Sequence, residues 1–396
     1  MSGNAFKING FKGSAVASGL KKDGELDLAL IYSEREAVAS GVFTTNRVKA
    51  APVLLSQRNI KNGRIKAIVV NSGNANACTG NAGLQNARTT SRLVAENLGI
   101  EPGEVLVAST GVIGAQLDMD LISKAMPDLT KGLSSEGIPR VAQAMMTTDS
   151  FPKISQFEGK FDGRPYKILG IAKGAGMIMP DMATMLCFVL TDLYLDAKTL
   201  GRAVSAAVES SFNRISVDGD TSTNDMVLVL ANGRTESSAL PLGDLEKFNK
   251  GLTRVMTELA TMIVRDGEGA TKVVHVEVKG AATTEDALTA ARTVANSCLV
   301  KTALYGQDPN WGRIMAALGR SGILMQEDKI CIWIDGIIIV EGGLGTGEMA
   351  EKEAADKMTH QEFVLTIDLQ QGQYEDRIIT CDLTHEYITI NADYRT

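Results

Sequence analysis

Two kinds of apolar pattern alternate along the chain: short runs without internal polar positions, and segments whose apolar residues recur every three or four positions. The first kind reads as strands buried on both faces, the second as helices lying against them. Residues 67–70, 105–108, 185–190 and 226–231 are of the first kind, and 166–171 reads as a further strand. Residues 273–278 alternate, the mark of a strand buried on one face. Residues 27–32 and 37–44 read as two strands of a hairpin or meander, 330–340 is strongly β-forming, and 387–390 is a short β-forming run.

Helical spacing is strongest over 245–264, where Phe248, Leu252, Val255, Met256, Leu259 and Ile263 share a face. Leu200, Val204, Ala207, Val208 and Phe212 predict a helix capped by Asp196, and Leu84, Leu93, Val94 and Leu98 one that stops near Gly99. Residues 287–298 read as a further helix, and 305–313 as a turn before 314–318. Pro127, Gly132 and Pro139 divide 119–146 into two short helices, 119–126 and 140–146. Strands and helices thus alternate irregularly, with no internal repeat and no glycine-rich dinucleotide fingerprint, so an α/β protein of layered sheets covered by helices is expected.

With 396 residues, 44% hydrophobic and 22% charged, the chain has material for an ample core and two domains. A net charge of −7 and the lack of any Lys/Arg-rich run argue against nucleic acid or an anionic membrane as partner. No stretch approaches 18 consecutive apolar residues and residues 1–12 lack the apolar core of a secretory signal, so a cytosolic location is expected. Cys78, Cys187, Cys298, Cys331 and Cys381 form no CxxC pair, and His275, His360 and His385 have no nearby second ligand. Neither a disulfide framework, a zinc site nor a Ser-His-Asp centre is suggested. Acid–base chemistry must come from other groups.

The segment 173–184 brings a flexible, glycine-containing loop into the buried run 185–190, with Thr184 at the junction. A threonine hydroxyl is a weak nucleophile, but a cut between Ala183 and Thr184 would create an α-amine beside it. That amine, with an ordinary pKa of about 7.7–8.0, is suited to act as its general base. Threonine is also β-branched and common at strand starts, so spacing alone leaves a structural role in place. Strand 105–108 breaks into Thr110-Gly111, which can turn an N–H and a hydroxyl toward one point and hold an oxyanion. The Asn- and Gly-rich loop 71–80 either lines a polar pocket or makes Asx turns.

By spacing alone, Lys173 is a solvated loop lysine, Thr147 bonds a helix end, and Glu268, between two glycines, is freely presented as an exposed turn acid. The acidic stretch 216–225 invites a metal but lacks EF-hand spacing, so it reads as a solvated or hydrogen-bonded turn. GGLGTG at 342–347 lacks the GK[ST] ending of a phosphate loop.

The wording KGAGMIMPDMATML over 173–186 resembles the self-cleavage site of the ornithine acetyltransferases, also called the bifunctional glutamate N-acetyltransferase family. GVFTTN, KAAPV, STGVIG, DGDTSTND, RDGEGATK and INADYRT carry the likeness through nearly the whole chain. The resemblance implies an αββα sandwich with a smaller C-terminal domain from about residue 280. It implies self-cleavage between Ala183 and Thr184 into fragments 1–183 and 184–396, an acetyl group carried on Thr184, and an oxyanion hole at Thr110 and Gly111. Thr147, Lys173, Thr184 and Glu268 correspond to substrate-binding positions, and Asn391 and Thr396 to residues that close the pocket.

The activity implied is transfer of acetyl from N2-acetylornithine to glutamate, without metal or cofactor, in an α2β2 heterotetramer of the two fragments. Some relatives also accept acetyl-CoA as donor and others do not; no residue here decides between them. A self-cleaving amidohydrolase or aminopeptidase of related architecture, with water in place of glutamate, is the alternative. A catalytically silent binding protein descended from such enzymes is a third.

Overall fold

In the computed structural model the described residues are 6–22, 24–179, 185–235 and 242–393, and they belong to two compact units. The first comprises Met1–Asn213 and Asp220–Ile263. Its strands are β1 (Phe11–Val16), β2 (Leu28–Phe43), β3 (Ile65–Asn71), β4 (Val105–Ser109), β5 (Lys153–Phe161), β6 (Arg164–Lys173) and β7 (Leu186–Leu193). Past β8 (Ile215–Ser216), which belongs to the second unit, comes β9 (Met226–Thr235). The helices are α1 (Ala51–Asn59), α2 (Gly80–Leu98), α3 (Met119–Lys131), α4 (Ile138–Met145), α5 (Ala197–Glu209) and α6 (Leu242–Arg265).

β2 organises this unit. The hydrophobic pattern predicts two strands, yet one strand of 16 residues runs through the exposed Glu34-Arg35-Glu36. The polar break marks a change of partner rather than a turn. The first half of β2 pairs with β1 on one side and β3 on the other, and the second half pairs with β9. The strand order is β4-β3-β2-β9-β7-β6-β5.

Because side chains alternate along each strand, the two halves can stack. Ile31, Ile68 and Leu106 from the first half share one buried cluster with Ile171, Phe188 and Leu228 from the second. On the opposite face, Leu30, Val69 and Val107 pack with Val94 of α2 and with Ile122 and Met126 of α3. Outside the second half, a Cβ on Gly170 of β6 would lie 2.7 Å from Leu259 and 2.8 Å from Val255 of α6. The layering is the expected αββα. All eight residues of β7 are buried: Leu186 to Leu190, as an apolar run without alternation requires, and also Thr191 and Asp192, through which the strand continues to Leu193. The parallel pairs β3/β4 and β7/β9 are each joined by a crossover helix, α2 and α5.

Two local expectations need correction. α3 does not stop at Pro127 but continues to Lys131, since Met126 and Leu129 on either side are fully buried and outweigh one lost hydrogen bond. Pro139 lies in the first turn of α4, where a missing N–H costs nothing. β5, which the apolar pattern does not reveal, forms a hairpin with β6 over Asp162 (φ 44°) and Gly163 (φ 74°). That Asp-Gly pair with two left-handed residues is the usual two-residue hairpin turn.

The second unit comprises Arg214–Gly219 and Val264–Arg395. It contains β8, β10 (Val273–Ala281), β11 (Cys331–Ile334), β12 (Ile337–Glu341), β13 (Leu344–Gly345), β14 (Glu362–Asp368) and β15 (Tyr374–Cys381), in the order β13-β12-β11-β14-β10-β15-β8. Its helices are α7 (Thr284–Ala295), α8 (Cys298–Tyr305), α9 (Trp311–Gly319), α10 (Glu348–Met358) and α11 (His385–Asp393). Val274, Val276 and Val278 pack on Ala287, Ala291 and Val294 of α7. The β-forming run 330–340 is two strands, β11 and β12, folded back at Asp335 and Gly336, both with positive φ.

Residues 387–390, expected as β, lie in the helix α11 instead. β15 is paired with β10 on one edge and, at Ile379 and Thr380, the end that leads to α11, with β8 on the other. Side chains satisfy the helix locally: Thr389 Oγ1 donates to the His385 carbonyl and Asn391 Nδ2 to that of Tyr387. Context overrides the β-branched composition.

Candidate active site

β3 and β4 run parallel, so the loops that follow them leave the sheet at the same edge. They are laced together. The Thr110 amide donates to the Asn71 carbonyl (3.0 Å), the Ala75 amide to that of Val112 (3.0 Å), and the Val112 amide to that of Gly73 (3.4 Å). Ser109 Oγ donates to Asn71 Oδ1 (2.6 Å), and Asn71 Nδ2 to the Asn74 carbonyl (2.8 Å). Gly111 has φ +126°, and a Cβ there would stand 2.4 Å from the carbonyl carbon of Gly73. Only glycine allows this approach. Among the described residues, neither the Thr110 hydroxyl nor the Gly111 amide has a hydrogen-bond partner. The fold therefore presents two adjacent free donors on a braced loop, an arrangement able to stabilise a developing oxyanion.

Within the same unit, Thr147 and Lys173 are brought together. Lys173 is not a solvated loop lysine: it ends β6, is 8% exposed, and its Nζ donates to Thr147 Oγ1 (2.8 Å). Asp149, which the sequence reading passed over, organises both. Its Oδ2 accepts from the Thr147 amide (2.9 Å) and lies 3.8 Å from Lys173 Nζ; its Oδ1 accepts from the Gly174 amide (2.6 Å) and from Lys153 Nζ (2.7 Å). Burial by itself would raise the Asp149 carboxyl, but the Lys173 and Lys153 charges and the hydrogen bonds from Lys153 and Gly174 hold it well below the usual carboxylate range. Two lysines around one buried carboxylate leave the cluster with an excess positive charge. That suits an anionic substrate group.

The Thr147 loop is braced from outside by Lys21, whose Nζ donates to the Met146 carbonyl (2.6 Å) and whose pKa is lowered by burial. A signal for Asp149 was present in the sequence: an acid and a base four residues apart, Asp149 and Lys153, in a stretch broken by Pro152 and so not helical.

The 220–225 part of the acidic stretch is a hydrogen-bonded, largely buried turn. Thr44 Oγ1 donates to the Ser222 carbonyl (2.8 Å) and Asn46 Nδ2 to that of Thr221 (3.0 Å). Asp225 is fully buried there. Burial pushes its carboxyl well above the usual range, against the pull of hydrogen bonds from Ser222 and the Met185 amide and of the Lys173 charge. Among the described residues, no group of three or more His, Cys, Asp or Glu is placed to hold a metal ion, and no helix is long and apolar enough to cross a membrane.

In the second unit, Glu268 and Asn391 meet: Asn391 Nδ2 donates to Glu268 Oε2 (2.7 Å). Glu268 is not the freely presented turn acid that its flanking glycines suggest, being 9% exposed. α11 folds over the turn, where Thr384 Oγ1 donates to the Gly269 carbonyl (2.8 Å) and a Cβ on Gly269 would meet Glu386 and Tyr387 at 2.8 Å. Ala183, Thr184 and Thr396 lie outside the described residues.

Comparison with known proteins agrees with the motifs. The family model described as "ArgJ family" matches residues 12–396. The "Arginine biosynthesis bifunctional protein ArgJ" of Syntrophotalea carbinolica is 52% identical over 392 residues, covering 98% of this chain and 100% of that protein. The "Glutamate N-acetyltransferase" of Methanocaldococcus jannaschii is 45% identical over 405 residues, covering 99% of this chain and 97% of its own. A crystal structure of the arginine biosynthesis bifunctional protein from Bacillus halodurans, 43% identical, covers 52% of this chain and 98% of that chain with a TM-score of 0.50. With a family match over nearly its full length and relatives this similar, the chain belongs to the ArgJ family and is an acyltransferase.

Proposed function

We propose that the protein transfers the acetyl group of N2-acetyl-L-ornithine to L-glutamate through an ester on Thr184, after cutting itself between Ala183 and Thr184. The observation that carries this reading is the pair of free donors, the Thr110 hydroxyl and the Gly111 amide, on a hydrogen-bonded loop with no room for a side chain at Gly111. In self-cleavage the Thr184 hydroxyl attacks the Ala183 carbonyl carbon, the acyl chain moves from nitrogen to oxygen, and water hydrolyses the resulting ester. This leaves a carboxylate on Ala183 and a free amine on Thr184. A cut is further supported by the Bacillus halodurans structure, whose chain is matched almost entirely by about half of this one.

In turnover the amine of Thr184 accepts the hydroxyl proton as oxygen attacks the acetyl carbonyl. The oxyanion is held by Thr110 and Gly111, the amide C–N bond breaks, and the proton leaves with the ornithine amine. Glutamate then attacks the acetyl ester through its own amine and the C–O bond to Thr184 breaks. Thr147 and Lys173, oriented by Asp149, bind a substrate carboxylate, while Glu268, with Asn391 and Thr396, receives a substrate ammonium. The two fragments assemble as an α2β2 heterotetramer in the cytoplasm, with N2-acetylornithine and glutamate as partners.

Such a cycle has one nucleophile acetylated and discharged in turn, so double-reciprocal plots at several glutamate concentrations should be parallel. Intersecting lines would replace the cycle with direct transfer. Acetate release independent of glutamate would make the protein an amidohydrolase. The same assay with acetyl-CoA in place of acetylornithine decides whether it is a second donor.

A further inference from the structure

Asn224 stands one residue before Asp225 at the entry to β9, is 6% exposed, and makes contacts that the chemistry above does not use. Its Nδ2 has two hydrogens, and each finds a carbonyl: that of Ala75 at 2.6 Å and that of Ser109 at 2.8 Å. Ala75 belongs to the loop after β3. Ser109 is the last residue of β4, directly before Thr110 and Gly111. Its Oδ1 accepts from Thr223 Oγ1 (2.6 Å), which fixes the amide's orientation so that the NH2 end faces the two carbonyls. Its main-chain N–H donates to Ser222 Oγ (3.0 Å). A single side chain from one half of the sandwich thus joins the two laced loops of the other, across 115 and 149 positions of sequence.

On these contacts we infer that Asn224 is a positioning residue that fixes the Thr110–Gly111 donors relative to β9, and through it to its parallel neighbour β7, the strand that follows Thr184 in the chain. The inference rests on the proposed role of Thr110 and Gly111. The lacing of the two loops braces the donors against each other, but among the described residues only Asn224 ties the Ser109 and Ala75 carbonyls to the other sheet half through one group. With that tie removed, only the lacing within its own half holds the loop, which then opens more readily. It loses its distance from the nucleophile's strand. Substrate binding through Thr147 and Lys173 involves neither carbonyl and should be spared.

The test measures kcat, KM and amide hydrogen exchange in Asn224→Ala, which removes both donors, and in Thr223→Val, which deletes the orienting hydroxyl at almost constant volume. Asn224→Ala should lower kcat about 10- to 100-fold, with KM for acetylornithine and glutamate within about twofold of the parent, the pattern of misplacement rather than lost binding. Exchange at the hydrogen-bonded amides of Thr110 and Val112 should quicken. Thr223→Val should shift kcat and exchange the same way by less, and it serves as the reporter should Asn224→Ala fail to fold.

Parental kcat with parental exchange in either folded variant overturns the inference, as does a kcat loss matched by an equal rise in KM. A parent protein that transfers no acetyl overturns the proposed function instead. The exchange measurement needs no turnover and still decides whether Asn224 holds the loop.

Discussion

Gly111 and Thr110 make different demands on the site. At Gly111 the backbone itself must pass Gly73, and no side chain fits. At Thr110 the amide is already committed to the Asn71 carbonyl and only the hydroxyl is free. Removing that hydroxyl should therefore leave the loop's shape intact and weaken only the transition state. Thr110→Ala is expected to lower kcat about 10²- to 10³-fold with KM for acetylornithine nearly unchanged. A steady-state comparison checks it, and parental turnover would leave the Gly111 amide as the loop's donor.

Asp149 makes a prediction in pH. Its folded-state pKa is depressed by Lys173 and Lys153. The stability it contributes is accordingly present above its unfolded value near 3.9 and is lost as pH falls toward the folded one. Asp149→Asn leaves Lys153, fully buried, without its charge partner and should cost about 3 to 5 kcal/mol at pH 7. Denaturant melts at falling pH should show the deficit shrinking below about pH 4; a deficit independent of pH would mean that the carboxylate's charge is not what matters. Thr147 and Lys173 could be marked from sequence wording because they resemble known substrate positions. Asp149 had only its spacing from Lys153 to mark it, because its other partners, the Thr147 and Gly174 amides and Lys173, meet it only in the fold.

Among the elements, β7 and α6 were legible in type and place, one as an apolar run without alternation and the other as a stripe at helical spacing, though β7 runs on through Thr191 and Asp192. Each pattern answers to burial by a layer on either side. β5 and α11 were not legible from that pattern: β5 depends on an Asp-Gly turn, and α11 on local bonds from Thr389 and Asn391 to the carbonyls of its own first turn, against its β-branched composition. The β6/α6 contact is close because Gly170 lets Leu259 and Val255 approach the strand. Gly170→Ala would put its Cβ 2.7 Å from Leu259, and it should destabilise the protein by about 1 to 3 kcal/mol through overpacking. Thermal or denaturant unfolding reads this directly. An unchanged midpoint would mean that α6 can move away without cost.

For the whole molecule, the strand order decides what self-cleavage does to the fold. β9 and β7, which follow the Ala183–Thr184 bond in the chain, lie side by side between β2 and β6, which precede it, and β7 is paired with β6 on one edge and β9 on the other. Neither fragment can keep this sheet alone. After the cut, fragments 1–183 and 184–396 should elute together under native conditions and separate only in denaturant. Separate native elution would contradict the interleaving.

The central claim is that Thr184 carries the acetyl group, and intact-mass spectrometry after mixing the protein with N2-acetylornithine alone tests it most directly. The account predicts two fragments, the second beginning at Thr184 and heavier by about 42 Da, with the added mass leaving when glutamate is supplied. A single uncut chain that turns over fully, or a Thr184 fragment that never gains mass while transfer proceeds, would contradict it.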